Sequence, residues 1–222
     1  MKRTVSVRGT GSVTAAPDRI EVTMNLSALD PDYGRAEEEM DRKTAALTAA
    51  AEAAGFPKKE LKTASFNVNT EYRGVHDPKT GEYRQEFSGY RVFHGLTLGF
   101  PLDLAKLGEL LGGFSDSGAD PELSIRFTVS DPEAVRREAL EKAAANAREK
   151  AELLAAASGV KLGELLTIRY DWAEIRLESA TMFDAANGMA PKAMMRKASF
   201  AADMTPQDIS FSDSAGFVWE IA

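Results

Sequence analysis

The chain of 222 residues sets 27 Lys and Arg against 34 Asp and Glu, a formal net charge of −7, with 44% hydrophobic and 27% charged residues. That composition suits a folded chain with one or two cores and excludes collagen-like, disordered and low-complexity classes. The acidic balance argues against nucleic acid as a partner, and the absence of cysteine removes disulfides, thiolate catalysis and the usual structural zinc sites.

No apolar run approaches the roughly 18 residues that cross a bilayer, so no transmembrane segment is expected. Met1-Lys2-Arg3-Thr4 has no apolar stretch behind it. As written, the chain is expected in the cytoplasm; a mature exported form would place it in the periplasm or cell envelope.

Gly9-Thr10-Gly11-Ser12 has the look of a phosphate-cradling loop. Such a loop opens a helix, whereas Val13 to Pro17 read as extended, so the expectation is a glycine bulge or turn between two short strand segments. From Ile20 to Ala28 apolar residues alternate with Glu21, Thr23, Asn25 and Ser27, the period of a half-buried strand. Asp30-Pro31-Asp32 then opens a helix whose inward stripe is Ala36, Met40, Leu47, Ala50 and Ala54, stopped at Gly55. Phe66, Val68, Thr70 and Tyr72 share one side of the next strand. The turn-rich Gly74 to Gly81 joins it to a run from Tyr83 to Phe100, which predicts a long antiparallel hairpin.

A shorter helix begins near Asp103, carries Leu104, Leu107, Leu110 and Leu111, and is expected to end at Gly112-Gly113. Leu123, Ile125, Phe127 and Val129 form another strand. Ser130 and Glu133 have capping-box spacing before a long helix that runs to about Ser158, with Val135, Ala139, Ala143, Ala147, Ala151 and Leu154 inward. Leu162 to Tyr170 and Ile209 to Ile221 read as strands, and Glu178 to Pro206 as a long Met-rich loop or excursion. The fold class is therefore α+β: an antiparallel sheet with a split β-α-β-β-α-β core, a second long helix and C-terminal strands. It is read as a single domain over 1–222, divisible into a core at 1–130 and a helix-and-strand part at 131–222.

Few residues are suited to chemistry. The chain has two histidines. His76 falls in the hairpin turn. His94 falls in register with Tyr90, Val92, Leu96 and Leu98, which reads as a satisfied core or interface histidine, since a general base needs a nucleophile and an orienting partner. Glu37, Glu38, Glu39 and Asp41 splay over a first helical turn and lack the spacing of a calcium loop. Arg136, Arg137, Lys142, Arg148 and Lys150 are interleaved with Glu133, Glu138, Glu141, Glu149 and Glu152, which reads as an exposed salt-bridged helix face. Met182, Met189, Met194, Met195 and Met204 are the compositional oddity; with no histidine or cysteine nearby they read as an adaptable contact surface ahead of a copper(I) site.

The run Val7-Arg8-Gly9-Thr10-Gly11-Ser12-Val13-Thr14-Ala15-Ala16-Pro17-Asp18 resembles the opening of the SIMPL domain family, also called domain of unknown function 541. Leu61-Lys62-Thr63, Ser88-Gly89-Tyr90-Arg91 and Leu107-Gly108-Glu109-Leu110-Leu111 are similar to further family segments in the same order. Phe127 to Val135, the alanines that follow and Gly159-Val160-Lys161-Leu162-Gly163 continue the likeness almost to the end of the chain. The resemblance implies an α+β domain, often exported in bacteria, in a family that includes periplasmic immunogenic proteins and envelope proteins linked to oxidative-stress tolerance. It also implies ring-like, channel-shaped oligomers in some members and an adaptor role in a eukaryotic namesake. The family supplies no catalytic residues to carry over, and the Met-rich segment matches none of its motifs.

The expectation is a non-enzymatic, self-assembling protein, an oligomeric scaffold or stress-related factor, with no cofactor. Tyr72, Tyr83, Phe87, Met189, Met194 and Met195 are its candidate interface residues. A small-ligand or metal-binding protein that uses the Met-rich segment is the alternative.

Overall fold

A computed structural model of the chain describes residues 3–76, 83–171, 176–184 and 205–222. The elements run β1 (Thr4–Ala15), β2 (Arg19–Asp30), α1 (Tyr33–Ala53), a 3-10 turn (Lys58–Glu60), β3 (Lys62–His76), β4 (Tyr83–Pro101), α2 (Leu104–Asp116), β5 (Glu122–Thr128), α3 (Pro132–Ala157), β6 (Leu162–Arg169), β7 (Glu178–Asp184) and β8 (Ile209–Ile221). The fold is α+β, as expected. The chain forms two compact units, one of residues 1–18, 128–180 and 206–222, the other of 19–127 and 181–205.

In the second unit β2-α1-β3-β4-α2-β5 is the split β-α-β-β-α-β arrangement. Its strands lie in the order β3-β4-β2-β5, with β7 beside β5. The alternating residues Ile20, Val22, Met24 and Leu26 of β2 are buried with Leu98 and Phe100 of β4, Met40 and Leu47 of α1, and Leu107 and Leu110 of α2. One sheet face is therefore covered by helices. Asp32 caps α1 by accepting the Arg35 amide at 3.0 Å, and Asp103 caps α2 by accepting the Lys106 amide at 2.9 Å. Contrary to expectation, α2 does not stop at Gly112-Gly113 but continues to Asp116. Phe114, at 1% exposure, extends the buried row of Leu107, Leu110 and Leu111, and burying its phenyl ring, worth up to about 3 kcal/mol, offsets the roughly 1 kcal/mol that each of the two helical glycines costs.

In the first unit β1, β8 and β6 make a three-stranded antiparallel sheet on which α3 packs. The Gly9-Thr10-Gly11 segment is neither a bulge nor a turn: β1 runs through it without a register break, from Thr4 opposite Glu220 to Ala15 opposite Ile209. The glycines serve close approach. A Cβ on Gly9 would lie 2.7 Å from Cβ of Ala147, and one on Gly11 would lie 2.5 Å from the amide nitrogen of Ala143. Ala139, Ala143, Ala147, Ala151 and Ala155 are the buried row of α3; Leu154, expected inward, is 48% exposed while Ala155 continues the spacing of four.

The cap of α3 also differs from the capping box expected of Ser130 and Glu133. Asp131 accepts the Ala134 amide at 2.9 Å, because Pro132 occupies the first helical position and leaves the cap to the residue just before it. Ser130 instead donates its amide and hydroxyl to the Asp18 carboxylate, at 2.6 and 2.7 Å. The head of the segment expected as a loop, Glu178 to Asp184, is strand β7.

Candidate functional site

β3 and β4 form a long antiparallel pair at one edge of the second unit's sheet. Partners directly opposite each other across strands share a face, and the register sets Phe66 against His94, Val68 against Val92, Tyr72 against Phe87 and His76 against Tyr83. These residues lie on the side covered by α1, but α1 packs over β2 and β4, and β3 stands at the sheet edge. Large side chains are consequently left open: Phe66 is 53% exposed, Tyr72 55%, Tyr83 61% and Phe87 45%. The structure thus brings three predicted interface residues, Tyr72, Tyr83 and Phe87, to one face of one hairpin. Met189, Met194 and Met195, with Met204, lie outside the described residues; Met182 is exposed on β7.

These rings hold one another in place. Tyr33, at the start of α1, meets Tyr90 edge-on at 5.8 Å between centroids, Tyr90 meets Phe87 at 5.3 Å, and Phe87 meets Tyr72 at 5.8 Å. Each pair is T-shaped, the geometry that aligns a positive ring edge with a negative ring face. The ladder turns at a bulge, where Glu71 pairs with Gly89 but Tyr72 pairs with Phe87. Gly89 has φ +150°, and a Cβ there would lie 2.8 Å from the carbonyl carbon of Asp30, so a side chain has no room at this bend.

The opposite face of the hairpin is polar. Arg91 pairs with Glu71, with Nη2 donating to Oε1 at 2.8 Å, and its guanidinium stands 5.9 Å from the centre of the Phe93 ring. The hydrogen bond from Arg91 holds the Glu71 carboxyl below its ordinary value.

His94 joins α1 to the hairpin. Its Nδ1 stands 3.1 Å from Oγ1 of Thr44 and its Nε2 3.0 Å from Oγ1 of Thr63, while the Phe66 ring lies edge-on at 5.4 Å. A neutral imidazole donates from one nitrogen and accepts at the other, and the two hydroxyls satisfy both roles. Burial pushes the His94 pKa below its usual value, with Asp41 opposing the shift. The ring is engaged at both ends and works as a strut between elements.

Sequence reasoning missed the polar row on α3. Asn146 accepts the Thr10 amide at 3.1 Å, and Lys150 and Lys142 donate to the carbonyls of Arg8 at 3.1 Å and Ser12 at 3.4 Å. These residues recur every four positions beside the alanine row and occupy the free edge of β1, an edge that would otherwise be open to pairing. Their spacing was visible in the chain, but their target on β1 was not.

Among the described residues no group of three or more His, Asp or Glu converges as a metal site, and no helix is long and apolar enough to cross a membrane.

Residues 5–219 match the model of the SIMPL family, described as a protein of unknown function, DUF541. The chain is 28% identical over 218 residues to the uncharacterized protein YggE of Edwardsiella ictaluri, covering 98% of this chain and 87% of that protein. It is 32% identical over 167 residues to the 26 kDa periplasmic immunogenic protein of Brucella melitensis, covering 74% of this chain and 65% of that one. The YggE protein of Escherichia coli K12 is 27% identical over 162 residues, covering 73% of this chain and 63% of the relative. With the opening strand, the split core and the alanine-lined helix all inside the matched span, the chain belongs to the SIMPL family.

Proposed function

We propose that this protein is a non-enzymatic scaffold that assembles with copies of itself through the aromatic face of the β3–β4 hairpin. The observation that carries the reading is the ladder of Tyr90, Phe87 and Tyr72 on a sheet edge, with Phe66 and Tyr83 further along the same face and large parts of these rings in water. Contiguous apolar rings on an edge strand favour association, and rings already fixed by their neighbours lose little entropy when they are covered. The engagement of both His94 nitrogens by threonine hydroxyls supports the non-enzymatic part of the reading. The name of the Brucella relative, a periplasmic immunogenic protein, supports a periplasmic location.

Light scattering coupled to size-exclusion chromatography tests the assembly. The parent is expected above monomer mass, and the double variant Tyr72→Ser, Phe87→Ser to shift toward monomer with its melting transition retained. A parent that stays monomeric at high concentration removes the scaffold reading. A variant that keeps the parent's particle mass removes the hairpin face as the interface.

A further inference from the structure

The sheet of the first unit turns one face to α3 and the other to water. Gly9 and Gly11 lie against α3, so by strand alternation Ser6, Arg8, Thr10 and Ser12 point to the open face. On that face two arginines are aligned by the register. Arg8 of β1 and Arg169 of β6 are both the cross-strand partners of Gly216 on β8, one from each side. Adjacent strands stand about 4.8 Å apart, so the two arginine backbones are roughly 10 Å apart with a glycine between them. Two side chains of that length reach a common point above the glycine, where no side chain rises to fill the space.

Neither guanidinium has a carboxylate within ion-pair distance among the described residues. Arg8 donates Nε and Nη2 to the Ser214 hydroxyl, at 3.0 and 2.7 Å. That leaves other guanidinium N–H groups and the Ser214 hydroxyl proton to be given to a ligand. The cavity over this surface measures about 950 Å³ and is also lined by Ser6, Thr10 and Ser212. Of the acids at its lining, Asp213 is engaged: one oxygen accepts the Tyr170 hydroxyl at 2.8 Å and the other the Ser214 amide at 2.7 Å. Asp171 is the second acid. The two arginines share one face and neither is spent in an ion pair, so their charge is open to an anion although Asp171 and Asp213 stand at the rim of the same cavity.

We infer that Arg8 and Arg169 form an anion-binding clamp over Gly216 that takes a dianionic phosphoryl group, as free phosphate or as the end of a small phosphomonoester. Two forked guanidiniums match the charge and the several oxygens of such a group, and the surrounding hydroxyls complete its hydrogen bonds. The cavity is larger than free phosphate and has room for the rest of a monoester. Asp171 stands ready to accept a hydroxyl of such a ligand. This inference is independent of assembly through the hairpin.

Titration calorimetry with inorganic phosphate and, separately, with glycerol 3-phosphate tests it, in chloride buffer of matched ionic strength. Saturable binding of at least one is expected, weakened about tenfold or more by Arg8→Gln or Arg169→Gln and lost in the double variant. Tighter binding of glycerol 3-phosphate would assign the clamp to phosphomonoesters, and equal or tighter binding of inorganic phosphate to the free ion. Gly216→Val, which raises a side chain between the arginines without changing charge, is expected to weaken binding as well. All three positions lie on the open face, and retained melting transitions serve as the folding control. Absence of saturable binding to both ligands, or binding that the double variant retains, overturns the clamp.

Discussion

Gly9 and Ala147 meet across the sheet and helix of the first unit with no room for a methyl group between them: a Cβ on the glycine would stand 2.7 Å from the alanine Cβ. Gly11 meets the turn around Ala143 in the same way. Small residues on both partners let helix and strand approach closely, and dispersion contacts that are individually weak add up along the whole row.

Enlarging either partner is therefore expected to destabilise the fold. Ala143→Leu and Ala147→Leu should each cost about 1–3 kcal/mol, and Gly9→Ala at least as much, because its Cβ would clash with the backbone carbonyl of Ala143. Gly112, on α2, has nothing within 4 Å of a Cβ, and Gly112→Ala should stabilise by up to about 1 kcal/mol. Urea denaturation of the four variants checks the contrast; equal midpoints for Gly9→Ala and Gly112→Ala would contradict it.

The guard on the β1 edge has its own signature. Removing the side chain of Asn146 leaves the Thr10 amide without its acceptor. Asn146→Ala should cost about 0.5–1.5 kcal/mol and speed exchange of the Thr10 amide more than that of other β1 amides. Hydrogen exchange followed by NMR reads this directly, and a uniform change along β1 would argue against the assigned contact.

Asp131 should act as a capping acceptor more than as a charge. Asp131→Ala is expected to cost about 1 kcal/mol, whereas Asp131→Asn, which keeps an oxygen for the Ala134 amide, should lose only a few tenths. Thermal melts of the two variants separate these effects. Equal losses would mean that the negative charge at the helix start is what matters.

His94 makes stability depend on pH in a definite direction. Burial lowers its pKa in the folded protein, so between that value and the ordinary value near 6.5 the unfolded chain binds more protons than the native one. Its contribution is fully present above about pH 6.5 and is lost as pH falls through the lowered folded value. Urea midpoints measured from pH 5 to 8 should fall toward acid more steeply for the parent than for His94→Gln, whose amide can still meet both threonines. Parallel curves for the two proteins would remove His94 as a source of the pH dependence.

Much of the second unit was legible locally. Ile20, Val22, Met24 and Leu26 alternate in the chain and are buried in the sheet; Phe66, Val68 and Tyr72 share a face as their spacing requires. Period and cap residues report which side of an element is apolar, because they depend on backbone geometry alone. They do not report what covers that side. The phenyl ring of Phe114 carries α2 past two glycines, and α1 shelters β4 but leaves the β3 rings in water, outcomes that rest on packing between elements.

The first unit depended most on the assembled chain. Thr4 pairs with Glu220, Arg8 and Arg169 meet at Gly216, and Ser130 finds Asp18 rather than its own helix. No local pattern specifies these partners, since a strand's alternation is compatible with any neighbour of matching polarity. The register is settled only when β1 and β8 close on α3, where the contact at Gly9 and Gly11 is too tight for any Cβ and so fixes which strand residues can face the helix.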